Sequence, residues 1–181
     1  LTDDLGCSDE ASVSITVVPE PPVGQTYPTE SICEGFGLQL PGAEGDQWLW
    51  SPAEFVNDAS LQFPYASPEE TTTFSVAIAN VCGIGTDEMT VEVRVPEAYA
   101  SEDGGVCRGQ SFEVSAAGND PNSTFQWQPA ELVVSAGSGT TAVFPNFTQT
   151  FTVFVTDSEG CTASDEVTVY VTQPPFIEAG P

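Results

Sequence analysis

The sequence predicts an all-β protein made of small antiparallel β-sandwiches in tandem, and three observations carry that expectation. First, the chain repeats itself: Trp50 and Trp127, Pro68 and Pro145, and Phe74 and Phe151 each stand 77 positions apart. Self-similarity at a fixed spacing marks a repeated structural unit. Second, the apolar segments alternate with period two and are rich in Val, Thr, Ile and Phe, the pattern of half-buried strands. Third, Gly, Pro, Asn and Asp cluster between them, as in Pro41-Gly-Ala-Glu-Gly-Asp46 and Gly118-Asn-Asp-Pro-Asn-Ser123, which reads as turns. No segment sustains a helical period.

The expected strands follow in order. In the first repeat they are 36–40, 48–50, 61–63, 73–79 and 89–95; in the second, 112–116, 125–127, 142–144, 150–156 and 167–172. Alternation assigns their faces. Phe74, Val76 and Ile78 point inward with Met89, Val91 and Val93; Phe151, Val153 and Val155 do so with Val167, Val169 and Val171. Trp48 and Trp50 share a face and match Phe125 and Trp127, so these aromatics are expected in the core. Residues 20–96 form one repeat and 97–174 the next. Residues 1–19 read as the closing hairpin of a preceding repeat, because Val13, Ile15 and Val17 follow Cys7 at the spacing by which Val167, Val169 and Val171 follow Cys161. Residues 175–181 read as the start of a further one. Proline-bearing links, Val18-Pro19, Val95-Pro96 and Gln173-Pro174, are short and stiff, favouring a rod over a loose string.

Composition removes several function classes. The formal charge is −25, from 27 acidic residues against only Arg94 and Arg108. Such a surface repels phosphate backbones and anionic headgroups, so nucleic-acid binding and membrane-surface binding are not expected. The chain contains no histidine and no lysine. That excludes histidine-based nucleophile pairs, imidazole metal ligands, Schiff bases and lysine isopeptide crosslinks. No catalytic motif surrounds the acidic pairs, and the expectation is a non-enzyme without a cofactor.

Five cysteines occupy two roles. Cys33 and Cys107 come early in a repeat; Cys82 and Cys161 come late, as does Cys7. One early and one late cysteine per repeat resembles a disulfide framework of an oxidising compartment. The first expectation is pairing within repeats, Cys33–Cys82 and Cys107–Cys161, with the partner of Cys7 outside the chain. The alternative arises if the early and late cysteines lie at opposite ends of a sandwich. The late cysteine of one unit then meets the early cysteine of the unit before it, giving Cys33–Cys161 across the junction.

Weaker signals concern ligands. Asp87, Glu88, Asp165 and Glu166 open the last strand of each repeat. With Glu20, Glu97, Asp103 and Asp157 they are candidate calcium ligands, against the plainer reading of edge charges that discourage sheet-to-sheet aggregation. Asn122-Ser-Thr and Asn146-Phe-Thr are formal glycosylation sequons. On outward faces the second repeat carries Phe154 and Tyr170 where the first has Ala77 and Glu92. These two aromatics form a candidate contact surface if the strand register brings them together.

The combined motif resembles a known family. Cys33-Glu-Gly and Cys107-Arg-Gly, Trp50-Ser-Pro and Trp127-Gln-Pro, Thr71-Thr-Thr-Phe-Ser-Val, Asp157-Ser-Glu-Gly-Cys161 and Val167-Thr-Val-Tyr-Val are similar to Ig-like/PKD-like repeats. Those repeats occur in large surface and secreted proteins of Bacteroidota, including gliding-motility adhesins and type IX secretion cargo. The resemblance implies an extracellular, cell-surface or secreted location and a stalk or adhesin role. It implies as partners neighbouring repeats of the same chain, and proteins of a surface assembly or glycans. The rival expectation is an ancillary carbohydrate-binding region of a secreted polysaccharide-degrading enzyme.

Overall fold

The computed structural model describes Leu5, residues 11–21, Gly24 and residues 27–173. Thirteen strands appear among them: β1 Glu30–Cys33, β2 Leu38–Gln39, β3 Gln47–Ser51, β4 Tyr65–Ala66, β5 Thr72–Asn80, β6 Gly83–Arg94, β7 Ala98–Ala100, β8 Gly104–Cys107, β9 Phe112–Gly118, β10 Thr124–Gln128, β11 Thr140–Val143, β12 Gln149–Thr156 and β13 Thr162–Thr172. Two 3₁₀ turns, Ala53–Phe55 and Ala130–Leu132, occupy equivalent places in the two repeats. The strands form two tandem β-sandwiches, each with its own core.

In the first sandwich a four-stranded sheet, ordered β1-β6-β5-β3, faces the β2-β4 pair. In the second, β10-β12-β13-β8 faces β11-β9-β7. The alternating strands bury the faces expected of them. Phe74, Val76, Ile78, Met89 and Val91 are buried in one core; Phe151, Val153, Val155, Val167 and Val169 in the other. Val93 and Val171, near the strand ends, are only half-buried.

Each core closes on a tryptophan. The buried Trp50 donates its indole N–H to Leu61 O at 3.0 Å, and Trp127 donates to Ser138 O at 2.9 Å. Both rings therefore lie in apolar surroundings with their single donor satisfied. The first contact corrects the strand expected at 61–63. Asp58 accepts from both the N–H (2.8 Å) and the hydroxyl (2.6 Å) of Ser60. That bends the chain, turns the Leu61 carbonyl toward Trp50, and leaves the strand to begin at Tyr65.

Alternation also overlooked the edge strands β1 and β8. Each lies parallel to the last strand of its own repeat, β1 beside β6 with Cys33 level with Arg94, and β8 beside β13 with Cys107 level with Thr172. The opening segment of the second repeat serves both sheets: β7 pairs with β9, and β8 pairs with β13. The change of sheet brings Gly104 against the Phe112 ring, where a Cβ would approach to 2.2 Å. No larger residue fits there without displacing the ring.

At the N-terminal side, residues 11–20 carry no strand, and Val13, Ile15 and Val17 are exposed. The strand expected there is not formed, since no neighbouring strand among the described residues offers it a ladder or an apolar face. The first part of the expected hairpin, with Cys7, and residues 175–181 lie outside the described residues.

Candidate functional site

The site with the most built-in chemistry is the junction between the two sandwiches. Its centre is a disulfide between Cys33 and Cys161, with Cα atoms 5.4 Å apart and a sequence separation of 128. Cys82 and Cys107 are free and exposed. The pairing first expected, Cys33–Cys82 with Cys107–Cys161, is therefore corrected to the cross-junction alternative.

Topology gives the reason. Cys33 lies level with Arg94, the last residue of β6, whereas Cys82 sits in the turn before Gly83, its first residue. A twelve-residue strand separates them, roughly 35–40 Å at the usual rise per residue. Cys107, level with Thr172, stands a similar distance from Cys161. A disulfide requires Cα atoms within about 7 Å. Early and late cysteines of one repeat thus lie at opposite ends, and only neighbouring repeats bring them together.

The turn that presents Cys161 is locally over-determined. Asp157, buried at the base of the β12–β13 turn, accepts from Cys161 N–H at 2.8 Å and Glu159 N–H at 3.0 Å, while its own N–H donates to Cys161 O at 2.9 Å. Gly160 completes the turn at φ +89°, a conformation open to glycine at little cost. The Asp-x-x-Gly-Cys motif is the sequence signature of this turn.

Alongside the disulfide, the connection Val95-Pro96-Glu97 is gripped by one side chain. Asn119 donates from Nδ2 to Val95 O (2.9 Å) and accepts from Glu97 N–H (3.1 Å). The equivalent approach to the first repeat uses a different loop. Asn80 Nδ2 donates to Pro19 O (2.8 Å) and Cys82 Sγ to Val18 O (3.1 Å). A polar cleft of about 340 Å³ lies at the junction, lined by Arg94, Val95, Asn119, Asp120, Pro121, Asp157 and Ser158.

Asp120 ties the floor of that cleft together. It accepts from Ser158 N–H (3.0 Å) and Oγ–H (2.6 Å) and from Asn122 N–H (2.8 Å). The Ser158 hydroxyl foremost, then these amides, hold its carboxyl down at about 2, with Arg94 adding a further pull. Because the folded value lies below the unfolded one, this tie is complete above the ordinary carboxylate range and is lost as pH falls toward 2. A carboxyl titration by NMR should give Asp120 a midpoint near 2, with the Ser158 amide following it; a midpoint near the usual aspartate value would contradict the geometry. Asn119 and Asp120 carried no sequence signal for these roles, since their partners, the link at 95–97 and the β12–β13 turn, are distant in sequence.

The other candidates fare differently. Asp165 accepts from Ala100 N–H (2.7 Å), fastening β7, and Glu166 accepts from Thr152 Oγ1 (3.2 Å). Asp103 accepts from Thr168 N–H at 2.7 Å, and Glu97 accepts from the Tyr99 hydroxyl. Asp87 is buried and Glu88 exposed on adjacent positions of β6. Among the described residues no three potential metal ligands gather.

Phe154 and Tyr170 are both exposed, but the structure does not bring them together. Phe154 is level with Ser164 on β13, and Tyr170 lies six positions farther along that strand. They share a face about 20 Å apart, so they form no joint aromatic surface.

No family model and no curated protein matches the chain. Among solved structures it is similar to the two Ig domains of DIP-gamma, at 12% identity and a TM-score of 0.47, over 84% of this chain and 98% of that one. It is similar to titin domains I67–I69, at 13% and 0.48, over 87% and 68%. It is also similar to extracellular domains 3–5 of Drosophila OTK, at 15% and 0.42, over 86% and 61%. The assignment of two tandem sandwiches rests on the sheets described above.

Proposed function

We propose that this chain is a segment of an extracellular repeat array, acting as a semi-rigid, non-catalytic stalk or adhesin region. One observation carries the reading: successive units are fastened covalently, by Cys33–Cys161, across a linker already held by Asn119. A disulfide placed between units restricts their orientation more than it supports either core. Such a bond suits an oxidising compartment, which favours a secreted or cell-surface location. The resemblance to Ig-like/PKD-like repeats of Bacteroidota surface proteins and type IX secretion cargo points the same way. Partners on this reading are neighbouring repeats of the same chain, and surface-assembly proteins or glycans. The absence of histidine and lysine supports a non-catalytic role.

Small-angle scattering of the oxidised chain tests the reading. One elongated conformation with a narrow spread of interdomain angles is expected. A broad angular ensemble in the oxidised chain would sink it.

A further inference from the structure

The two free cysteines among the described residues stand in the same places as the bonded pair. Cys107 ends β8 level with Thr172, and Arg108 N–H donates to Thr172 O at 2.9 Å; Cys33 ends β1 level with Arg94, and Glu34 N–H donates to Arg94 O at 2.9 Å. Cys107 therefore occupies, on the second repeat, the position from which Cys33 reaches forward. Cys82 lies in the β5–β6 turn, as Cys161 lies in the β12–β13 turn, and its thiol touches the incoming linker at Val18.

The arginines follow the same order. They sit one at each forward end, Arg94 across from Cys33 and paired with Glu92 at 3.3 Å, and Arg108 next to Cys107 and over the Phe147 ring. Carboxylates sit at the receiving ends. Asp120 lies beside the Cys161 turn, and Asp46 shares a small cleft with Asn80 and Val81 beside Cys82.

We infer that Cys107 and Cys82 are complementary head-to-tail docking points, at which a second unit of this kind is joined by the same cross-junction disulfide. The contact is heterologous: the forward end of one copy meets the receiving end of the next, so it propagates into a line instead of closing on a dimer. The chemistry balances with a disulfide oxidant. The Cys107 and Cys82 thiols lose two protons and two electrons, an S–S bond forms between them, and glutathione disulfide is reduced to two glutathione thiols. This inference deepens the stalk reading and rests on it for the neighbour's identity.

The test uses the full chain with Cys7→Ser, in a glutathione redox buffer. Two variants are prepared, one adding Cys82→Ser and the other Cys107→Ser. Both replaced residues are exposed, so the folds and the Cys33–Cys161 bond are expected to persist. Each variant alone should stay monomeric on a non-reducing gel. Their mixture should form a disulfide-linked heterodimer through Cys107 of one and Cys82 of the other, identified by peptide mapping. Homodimers of either variant in amounts matching the heterodimer, or no heterodimer in the mixture, would overturn the inference. Absence of the heterodimer together with rod-like scattering would leave the stalk reading standing; heterodimer formation with a broad angular ensemble would do the reverse.

Discussion

Replacing Trp127 by alanine is expected to destabilise the second repeat by about 3–5 kcal/mol, the range for removing a large buried aromatic. The ring is fully buried against the β9, β11, β12 and β13 residues of its core. A unit of this size holds only about 4–12 kcal/mol in total, so the substitution removes a large part of its stability or unfolds it outright. The two cores share no residue. With the Cys33–Cys161 bond removed, the first repeat should therefore survive, and the fluorescence of Trp48 and Trp50, the remaining tryptophans, reports on it directly. Urea denaturation followed by calorimetry checks both statements. A loss below about 1 kcal/mol, against the range for such truncations, would mean that Trp127 is not the centre of its core.

The second large effect belongs to the junction. Cys33→Ser removes the staple while leaving Cys161, buried at the turn, as a small apolar side chain. With its ends 128 positions apart in sequence, the closed loop confines the unfolded chain by about 5 kcal/mol in the chain-entropy description. Unfolding either repeat alone already meets most of that confinement, because the bond and the folded neighbour still close the released part of the loop, and unfolding the other then adds little. The oxidised chain is therefore expected to melt with its repeats coupled. The Cys33→Ser chain should show two separate transitions and a wider spread of interdomain angles. Calorimetry that finds the same single transition in both proteins would show that the disulfide does not couple the units.

These expectations depend on features that differ in how far the sequence discloses them. The inward faces of β5, β6, β12 and β13 were legible because alternation is local: a strand with one buried side must place Phe74, Val76 and Ile78 together whatever its neighbours do. The buried tryptophans were legible for the same reason. Strands β1 and β8 were not, because each is a four-residue parallel edge whose ladder partner is a strand about 60 residues away. Cysteine pairing failed at the same level. Equal numbers of early and late cysteines suit either connectivity, and the choice depends on which end of a long strand each one occupies. The separation of Phe154 from Tyr170 was likewise a matter of register, set by the β12–β13 turn and not by spacing. The junction was the least legible part, since Asn119 acquires its role only where the link between the units meets the second sandwich, and Asp120 only where the β12–β13 turn folds beside it.

The measurement that bears most directly on this account is non-reducing peptide mapping of the monomeric chain. The expected result is one disulfide-linked peptide pair containing Cys33 and Cys161, with Cys82 and Cys107 recovered as thiols. Recovery of Cys33 bonded to Cys82 and Cys107 bonded to Cys161 would contradict it, because each sandwich would then be stapled to itself and the units would be free to swing.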